Sequence, residues 1–383
     1  MNIDITKRLH GIDALRGIAM LLGILLHATI AYKVHPLPAW PHDPGYTHWI
    51  FDYLYSAVHS FRMPLFFFIA GYFCRFLYHR IGEKEFIRHR VKRILVPFLI
   101  SLVLILPFTI YPFLVYRFSV LENHENYYEK AFNSLFQWNG MAHLWFLYFL
   151  LIYYFIVVVL FRLRKHKSFQ FISPINAVTH HFRLKNFRNV LLSCLPIAVI
   201  LVSVPELFLH VDTGIIPSLP YLAFFGYLFL LGWLVNRSAA ETFSWIITKT
   251  WIFLITGIIL SVFTFWIEFT GRFQSLDFIL MAGVKLLAAL QIIFLVLGSI
   301  GFFLSFWKSE SKTWKYLSDA SYWMYLVHLA IVATAQVALR TLPVPGFAKF
   351  AIILVGTMGF TLITYHYFIR YTIAGEWLHG KRK

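Results

Sequence analysis

Charged residues are scarce in this chain, and acidic residues are scarcer than basic ones. Only 13% of the 383 residues are charged, against 59% that are hydrophobic. Soluble domains carry charge on about a quarter of their residues, so this composition excludes an ordinary soluble domain. Several apolar runs of about twenty residues, each long enough to cross a bilayer, predict a polytopic helical membrane protein.

Cysteine and the common cofactor motifs are also nearly absent. The two cysteines, Cys74 and Cys194, fall in or beside apolar segments, so we expect neither a disulfide framework nor a metal site. The sequence has no nucleotide-binding loop, no zinc-ligand spacing and no nucleophile-elbow motif. We therefore expect no tightly bound cofactor.

The apolar periodicity predicts an all-α bundle of ten transmembrane helices, forming one membrane-embedded domain over residues 1–383. The predicted helices are 11–33, 49–78, 94–116, 143–161, 190–209, 218–236, 250–270, 278–304, 319–339 and 347–371.

Basic residues collect in alternate loops of this predicted bundle. They lie between helices two and three, between four and five, between eight and nine, and at the C-terminus, whereas the opposite loops carry Asp43, Glu122, Glu125, Glu129 and Asp212. The positive-inside bias then predicts that both termini are cytoplasmic. The net charge of +17 fits anionic lipid headgroups of the bilayer, and its distribution argues against nucleic acid as a partner.

Ionisable residues interrupt the first apolar run, which reads GIDALRGIAMLLGILLHATIAY at residues 11–32. Arg16 and His27 are eleven residues apart, about three helical turns, so they share a face at a separation of about 16 Å along the axis. Such groups are costly inside a membrane, which favours a functional pair. The alternatives are an Arg16 that extends to lipid phosphates and a His27 that only bonds a neighbouring helix.

Further polar residues lie deep in other predicted helices. His59 and Arg62, three residues apart on the second helix, are near mid-membrane, where an arginine cannot easily reach the surface. His328, near the middle of the ninth helix, shares a face with Ser321 and Tyr325, which could instead bridge neighbouring helices.

The start of the fourth helix adds His143 and Trp145. His143 could line an outer vestibule, and Trp145 either binds substrate or belongs to the interfacial belt. Taken by depth, all these polar residues form a column that predicts an enclosed cavity or path. Cations towards the cytoplasm suit an anionic ligand, and imidazoles farther out suit proton transfer.

Four segments contain recognisable motifs. They are IDALRGIAMLLGILLH with its Arg16-x10-His27 spacing, FFFIAGYF at 66–73, FIRHRVKRILVPF at 86–98 and SYWMYLVH at 321–328. Their order and spacing resemble the membrane-bound acyltransferase 3 family over nearly the whole chain. HSFRMPLFFFIAGYF and AHLWFL look most like the branch whose members succinylate osmoregulated periplasmic glucans.

This resemblance implies a multi-pass O-acyltransferase of the bacterial inner membrane. An acyl group, acetyl or succinyl, would pass from cytoplasmic acyl-CoA to a hydroxyl of an extracytoplasmic glycan. The CoA phosphates would be held by four arginines, Arg16, Arg88, Arg90 and Arg93.

The resemblance also suggests roles nearer the reacting atoms. Arg62 would hold the thioester end or polarise its carbonyl. His27 would act as general base or carry the acyl group transiently, assisted by His328 or His59. Substrate contacts would come from Tyr325, His143 and Trp145.

Two other functions fit the same polar column. A transporter would move an anionic solute through the cavity without chemistry, although the sequence shows no inverted repeat. A structural scaffold of an envelope polysaccharide machine would need the polar groups only for folding.

Overall fold

The computed structural model describes residues 10–165, 183–209 and 211–380. This part of the chain is all-helical and contains no β-strand. Its thirteen α-helices are α1 (His10–Thr29), α2 (Trp49–Arg90), α3 (Val96–Leu104), α4 (Leu106–Tyr116), α5 (Tyr127–Ser134), α6 (Trp145–Lys165), α7 (Phe187–Val202), α8 (Leu219–Val235), α9 (Ala239–Phe269), α10 (Phe278–Phe306), α11 (Lys312–Leu339), α12 (Gly346–Thr364) and α13 (Ile373–His379).

The predicted class of helical membrane protein is confirmed. Seven segments of the described chain are long and apolar enough to cross a membrane. Two of them, Trp49–Leu104 and Leu219–Phe269, run for 56 and 51 residues, more than twice the roughly 20 residues that one crossing needs. Two shorter apolar helical segments, Leu106–Leu121 and Phe187–Val202, accompany them. Each predicted helix overlaps a helix of the structure, and the number of crossings stays a prediction.

The connection between the second and third predicted helices differs most from expectation. The sequence predicts a basic loop after residue 78, but α2 continues to Arg90 and leads into a π-helical turn, Val91–Leu95. Within α2, Gly82 interrupts the regular helix with a kink. Its φ is 77°, a backbone conformation that glycine adopts without a side-chain clash. The third predicted helix is interrupted between α3 and α4, just before Pro107, because proline cannot donate the backbone hydrogen bond that a continuous helix requires.

Glycines allow two helix backbones to touch near the centre of the fold. A Cβ on Gly71 of α2 would overlap the carbonyl oxygen of Phe229, and one on Gly232 of α8 would overlap that of Phe68. Helix association in a membrane depends on such close van der Waals packing, since lipid tails are as apolar as leucine. Aromatic side chains from α2, α6 and α8 fill the core around this crossing.

Helix α1 is the central element for the polar residues. It packs against α2, α10, α11 and α12, so its side chains face several helices at once. A Cβ on Gly11 would overlap the carbonyl oxygen of Phe303, which shows how closely α1 approaches α10.

The Gly71–Gly232 crossing gives a direct test of this packing. Gly71→Ala and Gly232→Ala each place a methyl group against a backbone carbonyl, and overpacking of this kind costs about 1–3 kcal/mol. We expect both variants to unfold at lower temperature in detergent, or to yield less monodisperse protein. Gly283→Ala and Gly359→Ala are matched controls, because a Cβ there meets no atom within 4 Å. Equal unfolding temperatures for the two pairs would contradict the close approach.

Candidate active site

Three imidazoles from distant parts of the chain meet in one cluster. The ring of His27, near the end of α1, lies 5.2 Å from that of His328 on α11, centroid to centroid. His143, in the 3-10 turn Ala142–Leu144 before α6, lies 5.6 Å from His328. The ring of Tyr325 completes the group, 5.4 Å from His143. The structure therefore brings together four residues that the sequence singles out separately.

Hydrogen bonds to backbone carbonyls fix the tautomer of neutral His328. Its Nδ1 lies 3.0 Å from the carbonyl oxygen of Met324 and 2.8 Å from that of Tyr325. A carbonyl oxygen only accepts, so Nδ1 carries the hydrogen. The other nitrogen, Nε2, is buried and has no hydrogen-bond partner in the described residues. His328 thus presents an unshared lone pair, which is what a proton acceptor needs.

His143 is held in the complementary way. Its Nε2 donates to the carbonyl oxygen of Leu326 at 2.9 Å, which leaves the buried Nδ1 without a partner among the described residues. The hydroxyl of Tyr325 donates to the carbonyl oxygen of His143 at 2.5 Å and anchors the turn. His27 makes no such fixing bond, and its buried Nδ1 is also unpartnered there. In the described part of the chain, no group of three or more His, Cys, Asp or Glu side chains is arranged to hold a metal ion.

Arg62 of α2 reaches the same region through a gap in α1. A Cβ on Gly23, one turn before His27, would overlap the Arg62 guanidinium, so glycine leaves the space that this group fills. The Arg62 Nε is buried without a hydrogen-bond partner, and none of the ion pairs among the described residues includes Arg62. A guanidinium in this state favours an anion or a developing oxyanion.

His59 lies one turn before Arg62 but makes different contacts. Its ring stacks on Tyr55 with centroids 5.3 Å apart, and its Nε2 lies 3.1 Å from the carbonyl oxygen of Leu209. With Ser60 it lines a small, mostly apolar cavity beside α8 and α10. His27 is not among the ring contacts of His59 in the described residues, so His328 and His143 are nearer to the predicted base.

The predicted phosphate-binding arginines separate into two groups. Arg93 lies within electrostatic range of Arg16 and Arg90, towards the start of α1. The guanidinium of Arg90 packs over the ring of Tyr154 at 4.6 Å. Arg88, by contrast, has an 80% exposed side chain that lies 4.0 Å from Glu85. The sequence groups Arg88 with Arg90 and Arg93, but the structure places it outside their cluster because its side chain leaves α2 into solvent.

Trp145 also differs from its predicted place. It is 4% exposed, and its ring lies 5.1 Å from Phe225 and 5.3 Å from Phe149. These contacts put it in the aromatic core between α6 and α8, neither in an interfacial belt nor in the imidazole cluster. It lies two residues after His143, but its side chain packs against a different set of helices, and its contact with substrate stays a prediction.

Comparison with known proteins identifies the family of this chain. The family described as an acyltransferase domain, acyltransferase 3, matches residues 9–366. The chain belongs to this family. It is a membrane acyltransferase that transfers groups other than aminoacyl groups, and this membership favours the enzyme over the transporter and the scaffold.

Curated relatives match a smaller part of the chain. Over 146 residues, the chain is 34% identical to glucans biosynthesis protein C of Salmonella paratyphi B, Salmonella heidelberg and Salmonella schwarzengrund. The similarity spans 37% of this chain and 36% of each relative, about a third of their length. No solved structure matches the chain.

Two residues beside the site have no counterpart among the sequence predictions. Trp40, in the loop between α1 and α2, stacks on His27 with centroids 5.5 Å apart and ring planes 6° apart. Gln336 of α11 accepts the Trp40 indole hydrogen bond at 2.9 Å. Neither role is indicated by the sequence, because Trp40 is one aromatic residue among prolines and Gln336 is a single glutamine near a helix end.

A buried ion pair anchors this loop to the acyltransferase bundle. The Lys349 Nζ lies 2.6 Å from the Asp43 Oδ2, and the two side chains are 1% and 9% exposed. Arg340 donates to the carbonyl oxygen of His42 at 3.1 Å, beside this pair. The loop that carries Trp40 is therefore fixed at a point three residues beyond it.

Removing one partner of this pair leaves an uncompensated buried charge, which costs about 3–5 kcal/mol. We expect Lys349→Met to lower the unfolding temperature strongly, and Lys349→Met with Asp43→Asn to recover much of the loss. Thermal unfolding in detergent measures both. Lys130→Met removes a partner of the exposed Glu122 pair, at 3.2 Å, and serves as the control with little effect. A double variant no more stable than Lys349→Met would argue against an unpaired charge as the cause.

Proposed function

We propose that this acyltransferase moves an acetyl or succinyl group from cytoplasmic acyl-CoA to a hydroxyl of an extracytoplasmic glycan. The observation that carries the proposal is the cluster of imidazoles with buried, unpartnered nitrogens beside Arg62, which forms no ion pair with the acidic side chains of the described residues. Family membership supplies the reaction class. The relatives named for glucan biosynthesis support a carbohydrate acceptor.

The reaction would proceed by one attack on the thioester. The acceptor hydroxyl gives its proton to His27 while its oxygen bonds to the thioester carbon. The adjacent ring of His328 stabilises the imidazolium that forms on His27. Arg62 stabilises the negative charge that develops on the carbonyl oxygen. The C–S bond then breaks, the CoA thiolate leaves, and the imidazolium returns the proton to it. An acyl-imidazole on His27 is the alternative route, in which the same bonds change in two steps.

The arrangement of charges along α1 supports transfer across the membrane. Arg16 approaches Arg90 and Arg93 towards one end of the helix, and His27 lies near the other. A long CoA molecule with its phosphates on these arginines would extend its thioester towards Arg62. The glycan hydroxyl would then approach His27 from the opposite side.

We also propose ten crossings with both termini in the cytoplasm of a bacterial inner-membrane protein. Dividing Trp49–Leu104 and Leu219–Phe269 at their helix breaks, joining α3 to Leu106–Leu121, and counting Phe187–Val202 gives ten segments. An even number returns the chain to the side where it began. The basic residues then fall in the loops of that side.

The first test uses purified protein in liposomes with labelled acetyl-CoA or succinyl-CoA on one side and a periplasmic-type glucan on the other. We expect label in the glucan with one of the two donors, and a loss of at least about 100-fold in His27→Ala, the typical contribution of a general base. Gly283→Ala should transfer at the unaltered rate, because a Cβ there meets no atom. Full turnover in His27→Ala would remove that residue from the chemistry. No label with either donor would count against the donor and acceptor proposed.

Gly23→Ala tests the position of Arg62 without changing a charged residue. The added methyl group must displace the far end of a flexible side chain, so the protein should still fold, but the guanidinium can no longer reach its present place. Losing one oxyanion donor costs roughly 100- to 1000-fold in kcat. We expect a loss of this order with an unfolding temperature close to that of the unaltered chain. Gly359→Ala is the control. Unchanged kcat in Gly23→Ala would show that Arg62 does not act from this position.

A further inference from the structure

Trp40 belongs to a series of stacked and edge-on rings that ends in the imidazole cluster. Phe113 of α4 meets Trp40 edge-on, with centroids 4.9 Å apart and planes at 80°. Trp40 stacks almost parallel on His27, and His27 contacts His328. Among the described residues, His27 is the imidazole of this cluster for which no fixing hydrogen bond is present, and it is the ring that Trp40 covers.

Gln336 connects this tryptophan to the backbone of the residue that it covers. Its Oε1 accepts from the Trp40 Nε1 at 2.9 Å, and its Nε2 donates to the carbonyl oxygens of His27, at 2.9 Å, and Ala28, at 3.4 Å. The indole N–H only donates and the carbonyls only accept, so one orientation of the amide satisfies all three bonds. The side chain is 2% exposed and has little freedom to leave this network.

The backbone at this point explains why a side chain from another helix is needed. His27 and Ala28 lie in the last turn of α1, which ends at Thr29 and continues as a 3-10 turn, Ile30–Tyr32. Carbonyls at a helix end lack regular helical partners. Gln336 supplies hydrogens to two of them and, with the same amide, holds the indole. The end of α1 and the ring over His27 are therefore fixed together.

We propose that Trp40 and Gln336 are positioning residues, which hold the His27 imidazole in one orientation and stabilise the imidazolium formed when it takes the acceptor proton. The inference rests on the proposed function, in which the O–H bond of the acceptor breaks as its oxygen bonds to the thioester carbon and the C–S bond opens. A ring face attracts a cation placed over it. Trp40 therefore favours the charged form that exists only during the reaction, whereas Gln336 acts through Trp40 and the backbone.

The kinetic test compares Trp40→Phe, Gln336→Leu and their double variant, with acetyl-CoA or succinyl-CoA as donor. Phenylalanine keeps a flat ring but has no N–H. We expect kcat to fall roughly 2- to 12-fold in each single variant, the range that loss of a hydrogen bond holding the covering ring supplies, with KM for the donor within about twofold. The double variant should be no slower than Gln336→Leu alone, because that substitution already removes the bond to Trp40, together with the two bonds to the carbonyls of His27 and Ala28.

Trp138→Phe is the matched control, since this loop tryptophan also donates to a carbonyl oxygen, that of Gly140 at 2.9 Å. Unchanged kcat in Trp40→Phe and Gln336→Leu would overturn the inference. So would a loss confined to KM, multiplicative losses in the double variant, or an equal loss in Trp138→Phe.

A second measurement needs no turnover and so separates this inference from the proposed function. Diethyl pyrocarbonate modifies neutral imidazoles, and peptide mass spectrometry reports the rate at His27 alone. We expect a several-fold faster reaction at His27 in Trp40→Leu, where the imidazole is uncovered, and in Gln336→Leu, where the covering indole is released. The rate in Trp138→Phe should not change. An unchanged or slower rate in Trp40→Leu would show that Trp40 does not hold this imidazole, whichever reaction the protein catalyses.

Discussion

The absence of water from the bilayer core is the constraint on which the rest of this structure depends. Each buried polar group there needs a partner within the protein, and buried hydroxyls such as that of Thr29 bond to carbonyls one turn back. Against this background, nine buried side-chain atoms of the described residues lack a partner, and four of them belong to His27, Arg62, His143 and His328. Their concentration in one place marks the site, because unsatisfied groups are costly when they are scattered through a membrane protein. The carbonyl bonds of His143 and His328 add to this, since they decide which nitrogen of each neutral ring keeps a free lone pair.

Glycine has the same physical role in packing and in the site. At Gly71 and Gly232 the missing Cβ lets two backbones touch, and at Gly11 it lets α1 meet α10. At Gly23 the vacated space is filled by the Arg62 guanidinium instead of a backbone. A charged group can therefore cross from α2 to the face of α1 that carries His27 without separating the helices. The close packing that stabilises a membrane bundle also brings a cation to the imidazoles.

The sequence predicted the parts of the site that interrupt an apolar helix. His27, His328 and Arg62 are recognisable because an ionisable residue in a membrane-length run is rare and its helical spacing gives its face. The same reasoning could not predict Trp40 or Gln336. The sequence of a loop has no periodicity from which the position of its side chains follows, and a single glutamine on a helix can bond to many different groups. The arginines of the predicted basic loop could not be placed by the same reasoning. Arg88 lies in α2, after the break at Gly82 and before the π-helical turn, where the direction of a side chain does not follow from the sequence, and its contact with a CoA phosphate stays a prediction. Each predicted helix overlaps a helix of the structure, since apolar runs set their positions, but the start of α9 and the end of α7 differ from the prediction by several residues, and the length of α2 depended on the break at Gly82.

In the proposed reaction, one donor would meet the arginines near the start of α1, which are Arg16, Arg90 and Arg93, and also Arg62 beside the imidazoles. Arg62 forms no ion pair within the described part of the chain, and a buried charge without a partner is costly in an apolar setting, so an anionic group of the proposed donor would offset that cost. Arg93 lies within electrostatic range of Arg16 and Arg90 and of one carboxylate, Asp319, so an anion bound there would offset the excess of positive charge. An acyl-CoA supplies phosphates at one end and a carbonyl that becomes an oxyanion at the other. Binding at the basic end alone would give affinity without rate, whereas charge that develops beside Arg62 lowers the barrier itself. In the proposed reaction, the distance between these arginines and Arg62 would therefore separate donor binding from catalysis.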